Sequence, residues 1–276
     1  MSSLTKRVLT GSILALLIIA ATLLLPGTGF ALLLAAFVIV GAWEWSGMVG
    51  WSAPRQRLAY SAGFVLALLG AAWLIQDEGG TWALLLAGLV WWLVALAWVV
   101  RAQQGLIVDV LKFPLVRVFA GWLILAPAWG AVVTLHARSD SGSFMVLYLL
   151  LLISTADIAA FFVGRRFGRR RLASNISPGK SLEGAAGGLT AVAVLSIVVS
   201  LMADFTAPVG FIVLSLVTAV VSILGDLTES VFKRRAGLKD SGSIIPGHGG
   251  ILDRIDSVTA AAPIFVLGCL WQDSVL

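Results

Sequence analysis

Charge is scarce in this sequence. Asp, Glu, Lys and Arg make up 12% of its 276 residues, where an ordinary soluble domain carries about 25%. Hydrophobic residues account for 59%, and mean hydropathy is +1.01. A water-facing surface cannot be assembled from that mixture, which excludes a soluble globular protein and leaves a polytopic membrane protein. Cysteine is nearly absent. The single Cys269 rules out an internal disulfide, and a lone thiol in an apolar segment reads as a small packed residue. Histidine is almost as rare: no second histidine lies near His248, and Cys269 is far from it, so zinc has no ligand set there. No soluble domain interrupts the hydrophobic runs. The N-terminal stretch MSSLTKRVLTGSILALLIIAATLLL lacks a small-residue cleavage site and is followed by further spans, so it reads as a retained first helix.

What remains is apolar sequence cut by short polar turns. A span needs about 20 mostly apolar residues, and such runs lie at 8–25, 30–49, 60–76, 81–100, 116–135, 144–164, 184–203, 207–231 and 252–271. The expectation is an all-α integral membrane protein with nine transmembrane helices. With the N-terminus in the cytoplasm and the C-terminus outside, every Lys and Arg except Arg138 falls on the cytoplasmic side, as the positive-inside rule requires. The net charge of +5 then reflects topology rather than nucleic-acid binding, and the 11 tryptophans suit the lipid–water boundary. The chain divides by character at about residue 112. Residues 1–112 form N-terminal transmembrane helices with brief loops, where Glu44 is the only acid within a span; residues 113–276 form a transmembrane catalytic region with longer cytoplasmic loops and several intramembrane acids.

Those acids carry the chemical signal, because an ionisable group inside a membrane is costly and is retained for function. The eighth span ends GDLTESVFKRR, placing Asp226, Glu229, Ser230 and Lys233 on one helical face. Asp253 and Asp256 share a face at the start of the ninth span, and a short loop sets them beside Asp226. Three carboxylates gathered there would repel one another, and a hard divalent ion bound through carboxylates and phosphates, Mg²⁺ best of all, would relieve that. Such a site can also take a second cation. Asp157 lies about two turns inside the sixth span, ahead of a basic run over 165–171. Glu44, between Trp43 and Trp45, reads equally well as an interfacial acid. His136 and Arg138 carry no signal.

The loop 174–188, SNISPGKSLEGAAGG, contains GKS, but a phosphate-binding P-loop needs a glycine where Ser174 stands and a preceding strand, and neither is expected. Ser177, Lys180 and Ser181 nonetheless precede a helix N-terminus, where backbone N–H groups favour phosphate. Together these residues describe a cytoplasm-facing, carboxylate-lined site with cations nearby, at headgroup level. Phosphoryl or nucleotidyl transfer to a phosphorylated lipid needs that combination.

The run SVFKRRAGLKDSGSIIPGHGGILDRID (230–256) resembles the signature of the phosphatidate cytidylyltransferases, or CDP-diacylglycerol synthases: S-x-apolar-K-R, K-D-x-small, then P-x-H-G-G-apolar-x-D-R-apolar-D. The blocks DIAAFFVGRRFG (157–168), SPGKSLEG (177–184) and GDLTES (225–230) are similar to the same family, with Phe161 where Tyr is more usual. The resemblance implies a nucleotidyltransferase that converts CTP and phosphatidic acid to CDP-diacylglycerol and pyrophosphate, with Mg²⁺, in a lipid bilayer and as a homodimer. It maps the metal centre to Asp226, Asp253 and Asp256. Asp226, Asp253, Lys233 and Lys239 are the expected catalytic residues. Ser177, Lys180, Ser181, Glu229, Ser230, Arg234, Asp240, His248, Gly249, Gly250, Arg254 and Asp157 are expected to contact substrate, with Gly247 also admitting close backbone approach. Two other classes fit the sequence less well. A CDP-alcohol phosphatidyltransferase would need D-G-x-x-A-R before its acids, which is missing. A transporter would place glycines and acids deep in spans as inverted repeats, and the glycines here cluster in cytoplasmic loops.

Overall fold

In lipid a backbone must satisfy its own hydrogen bonds, which long apolar runs do by becoming helices. The computed structural model describes residues 3–106, 108–138, 141–203, 207–245 and 249–275, with side chains from residue 10 to residue 272. Among these residues nine long α-helices form: α1 (Ser3–Leu24), α2 (Gly27–Val49), α3 (Pro54–Leu74), α4 (Glu78–Gln103), α5 (Pro114–Ala137), α6 (Gly142–Phe167), α7 (Leu182–Met202), α8 (Pro208–Arg235) and α9 (Leu252–Val275). Eight of them, α2 to α9, are long and apolar enough to cross a membrane. The ninth expected span, α1, has a shorter described apolar stretch, Thr10–Leu24. Punctuation residues set the ends: Pro54, Pro114 and Pro208 occupy first helical positions, where a missing N–H costs nothing. Asp77 accepts a hydrogen bond from Gly80 N at 2.8 Å to cap α4.

Burial ranks the helices. Inside its apolar window α5 is 67% buried and α7 only 22%, so α5 is the central helix and α7 lies at the periphery. Around α5 pack α2, α9, α4 and α3. Gly121 on α5 makes room for Trp45 and Tyr60, which donate to the carbonyls of Arg117 (2.8 Å) and Val118 (3.3 Å). The core there joins Trp45, Phe64 and Leu125 to Phe232 and Leu252, so it draws on both halves of the chain. A second core gathers Phe30, Leu149, Leu152, Phe211 and Phe265. His136 does have a place: it stacks on Phe30 at 4.1 Å, and its Nε2 lies 2.9 Å from the Thr22 carbonyl and 3.2 Å from Ser143 Oγ. It therefore ties α5 to α1, α2 and α6.

Two close helix pairs position the site. On α6 and α7, a Cβ at Gly184 or Gly188 would stand 2.7 Å from the carbonyl of Ala160 or Ala156, so small residues let the two backbones touch. On α8 and α9, a Cβ at Gly225 would stand 2.5 Å from the Asp256 carbonyl. The loop between α6 and α7 departs from the expectation that no strand is available. Arg171–Ala173 (β1) pairs antiparallel with Ser177–Ser181 (β2), and GKS forms the end of β2 rather than a loop after a strand. The rejection of a P-loop stands, since Ser174 replaces its glycine.

Candidate active site

The hairpin is held from three directions. Glu183 accepts hydrogen bonds from the backbone N–H groups of Arg169 (3.0 Å) and Arg170 (3.1 Å). Arg171 donates across the hairpin to the Pro178 carbonyl at 2.6 Å, and Asn175 at the tip donates to the Gln103 carbonyl at the end of α4, at 2.7 Å. Ser181 then caps α7, accepting from Gly184 N at 3.1 Å. These bonds deliver Lys180 to a cavity of about 510 Å³ bounded by α6, α7, α8 and the hairpin. Its charged lining is Asp157, Arg165, Arg171, Lys180 and Asp226, with Phe161 and several glycines and alanines between them. Lys180 Nζ lies 2.6 Å from Asp226 Oδ2, and Ser230 donates to Asp226 Oδ1 at 3.4 Å.

The face expected to carry Asp226, Glu229, Ser230 and Lys233 is divided in two. Residues four apart stand above one another, so Asp226 and Ser230 turn toward Lys180 while Glu229 and Lys233 turn toward α9. Lys233 Nζ lies 3.1 Å from Glu229 Oε1 and 2.7 Å from Asp253 Oδ1, and its side chain is 11% exposed. Asp253 also accepts from Ser241 N (3.0 Å), Ser241 Oγ (2.9 Å) and Gly250 N (2.8 Å). Lys233 thus has its ammonium engaged by two carboxylates and is not among the residues lining the cavity. Asp256 accepts from Ser257 N at 2.7 Å and lies within electrostatic reach of Asp226 and Glu229.

The expected three-carboxylate centre is not assembled. Among the described residues no group of three or more His, Cys, Asp or Glu side chains comes together to hold a metal ion. The physical reason is the two lysines: Lys180 takes Asp226, and Lys233 takes Asp253. Asp226 and Asp256 remain as a neighbouring acidic pair whose mutual repulsion a cation would relieve.

Other expected site residues are dispersed. Ser177 is half-buried on β2, outside the cavity lining; Lys239, Asp240 and Arg254 are exposed and also outside it. Arg234 lines a separate, shallower pocket of about 230 Å³ with Arg235 and Asn175. Gly249 has φ +81°, a conformation that favours glycine, and Gly250 is buried. Gly247 and His248 lie outside the described residues. Sequence reasoning missed Arg165 and Arg171 as cavity residues, because a basic run at a helix end reads as a topology anchor. It also undervalued Glu44. That acid is 2% exposed and accepts hydrogen bonds from Ile251 N and Leu252 N; an acid inside an otherwise apolar span was the available signal.

Comparison with known proteins covers the whole of this architecture. The chain matches the cytidylyltransferase family over residues 5–270. It is 40% identical over 270 residues to the phosphatidate cytidylyltransferase of Pseudomonas aeruginosa, covering 97% of each chain. The protein of that name from Haemophilus influenzae is 38% identical over 289 residues, covering 95% of this chain and 97% of the other. That of Brucella suis is 34% identical over 282 residues, covering 99% and 96%. A match that runs from the first helix to the last, through the helices and hairpin that build the cavity, shows that the chain belongs to the cytidylyltransferase family.

Proposed function

We propose that this protein is a phosphatidate cytidylyltransferase, transferring CMP from CTP to phosphatidic acid to give CDP-diacylglycerol and pyrophosphate. The observation that carries the reading is the cavity where Lys180 meets Asp226 between α6, α7 and α8, in a chain whose full-length relatives bear that name. An oxygen of the lipid phosphate attacks the α-phosphorus of CTP in line, a new P–O bond forms, and the bond to the β-phosphate breaks to release pyrophosphate. A phosphomonoester is already anionic at neutral pH, so the step needs no strong base; orientation and charge compensation carry it. Lys180, Arg165 and Arg171 are the cations that face the cavity, and they are assigned here to the phosphates. A Mg²⁺ requirement belongs to the same proposal: Asp226 and Asp256 would hold the ion, which when bound would neutralise phosphate charge. The site faces the cytoplasm at the inner membrane of a bacterial cell, where CTP is available, and the protein works as a homodimer.

The test is CTP labelled at its α-phosphorus, supplied to purified protein in mixed micelles with and without phosphatidate. The expected result is labelled CDP-diacylglycerol with one pyrophosphate per product, dependent on phosphatidate and on restored Mg²⁺. Release of CMP from supplied CDP-diacylglycerol would instead mark a CDP-alcohol phosphatidyltransferase. Solute flux into vesicles without product would mark a transporter. Light scattering of the purified protein checks the dimer.

A further inference from the structure

The α2 helix sends one acid into the interior, and the start of α9 is built around it. The two oxygens of Glu44 take adjacent backbone donors, Ile251 N to Oε1 at 3.1 Å and Leu252 N to Oε2 at 2.9 Å. Asp253 takes the donor just before them, Gly250 N, at 2.8 Å. Helix starts leave such N–H groups without intrahelical partners, and a carboxylate there also meets the positive end of the helix dipole. Ser241 Oγ lies 3.2 Å from Glu44 Oε2 and 2.9 Å from Asp253 Oδ2. One hydroxyl hydrogen stands between two acceptors, so the serine couples the two carboxylates. Asp253 in turn holds Lys233, and Lys233 holds Glu229.

The backbone around Glu44 is shaped to it. A Cβ at Gly242 would overlap the Glu44 carboxylate, and one at Gly250 would overlap both that carboxylate and the Ser241 hydroxyl. An apolar side chain at position 44 would fill the space but leave the two N–H groups without an acceptor, so simple packing does not account for an acid here.

We propose that Glu44 is a positioning residue for the transfer site. It fastens Ser241, Gly242 and the first turn of α9, and thereby sets where Asp253 and Asp256 stand relative to Asp226 and the cavity. This role rests on the cytidylyl-transfer reading for its kinetic consequence, but not for its structural one.

The test compares Glu44→Ala, Glu44→Gln, Gly242→Ala and the Glu44→Ala/Gly242→Ala double variant in mixed micelles. Two quantities are read per folded molecule: kcat with KM for CTP, and the rate of tryptic cleavage after the exposed Lys239. Misplacing a reacting group by about 1 Å costs on the order of 100-fold, so Glu44→Ala is expected to lower kcat about 10- to 100-fold while KM for CTP changes less than about threefold. Cleavage after Lys239 should accelerate. Gly242→Ala, which displaces Glu44, should reproduce both effects. The double variant should be no worse than Glu44→Ala alone, because the overlap has gone. Glu44→Gln, keeping the shape and one acceptor, should fall between Glu44→Ala and the parent. An unchanged kcat and cleavage rate, additive losses in the double variant, or activity lost only in proportion to unfolded protein would each overturn the proposal. Should the parent protein form no CDP-diacylglycerol, the transfer reading fails, and the cleavage rates with their non-additivity decide the role of Glu44 by themselves.

Discussion

Replacing Lys180 with alanine separates a substrate-facing cation from a structural one. The residue ends β2, lines the cavity and pairs with Asp226 at 2.6 Å, with the two side chains 26% and 30% exposed. Water can reach such a pair, so its loss should cost less than about 1 kcal/mol of stability, and the variant should purify and melt like the parent. Its effect on turnover should be larger. A hydrogen bond from an ammonium to a phosphate oxygen contributes about 1.5–3 kcal/mol. At about 1.4 kcal/mol per factor of ten, kcat/KM should fall roughly 10- to 150-fold. Charge builds on the departing pyrophosphate in the transition state, so kcat should fall at least as much as KM for CTP rises. Lys180→Arg keeps the charge but changes its shape and should recover part of the loss. The assay is initial-rate CDP-diacylglycerol formation at varied CTP and saturating phosphatidate, beside a melting curve in the same micelles. A kcat/KM within about twofold of the parent would refute the assignment, as would a loss matched by a fall in melting temperature.

Lys233→Met should behave in the opposite way. It strands Glu229 and Asp253 in a buried setting, which costs about 3–5 kcal/mol when one partner of a buried pair is removed. A clear drop in melting temperature is expected, and a parent-like melt would show that Lys233 is no anchor. Asp253→Asn weakens the hold on Lys233 and on the start of α9, so turnover and melting temperature should both fall; parent-like values for both would show that Asp253 is no part of this network. Gly188→Leu forces bulk against the Ala156 carbonyl, where even a Cβ would stand 2.7 Å away. Overpacking costs about 1–3 kcal/mol, so this variant should melt earlier and lose activity through the parted α6–α7 wall, whereas unaltered melting would show that the contact yields.

The sequence read the helices well because each is an uninterrupted apolar run closed by Pro, Gly or charge. The expected spans at 81–100 and 116–135 lie inside α4 and α5. Helix starts at Pro54 and Pro114 reach beyond the apolar runs because proline is welcome at a first helical turn. The hairpin at 171–181 was illegible: two short polar strands have no apolar alternation, and part of what holds them comes from Gln103 and Glu183, outside the strands themselves. Site residues were legible as types but not as pairings. Helical periodicity placed Asp226, Glu229, Ser230 and Lys233 on one face, yet could not say that Lys180 would claim Asp226 while Asp253 claimed Lys233. Those choices depend on where a hairpin and a ninth helix pack. The role of Glu44 depends on a contact 208 residues away in sequence, and no local pattern encodes it.

The same separation bears on how the chain is made. Glu44 enters the bilayer with α2, early in synthesis, while the N–H groups it will accept from arrive only with α9. Until then the carboxylate lacks the donors that it meets in the folded protein, and an unpartnered acid in a span is costly. The last helix therefore discharges a debt opened by the second. A nascent chain halted before α9 keeps that carboxylate without its two backbone partners.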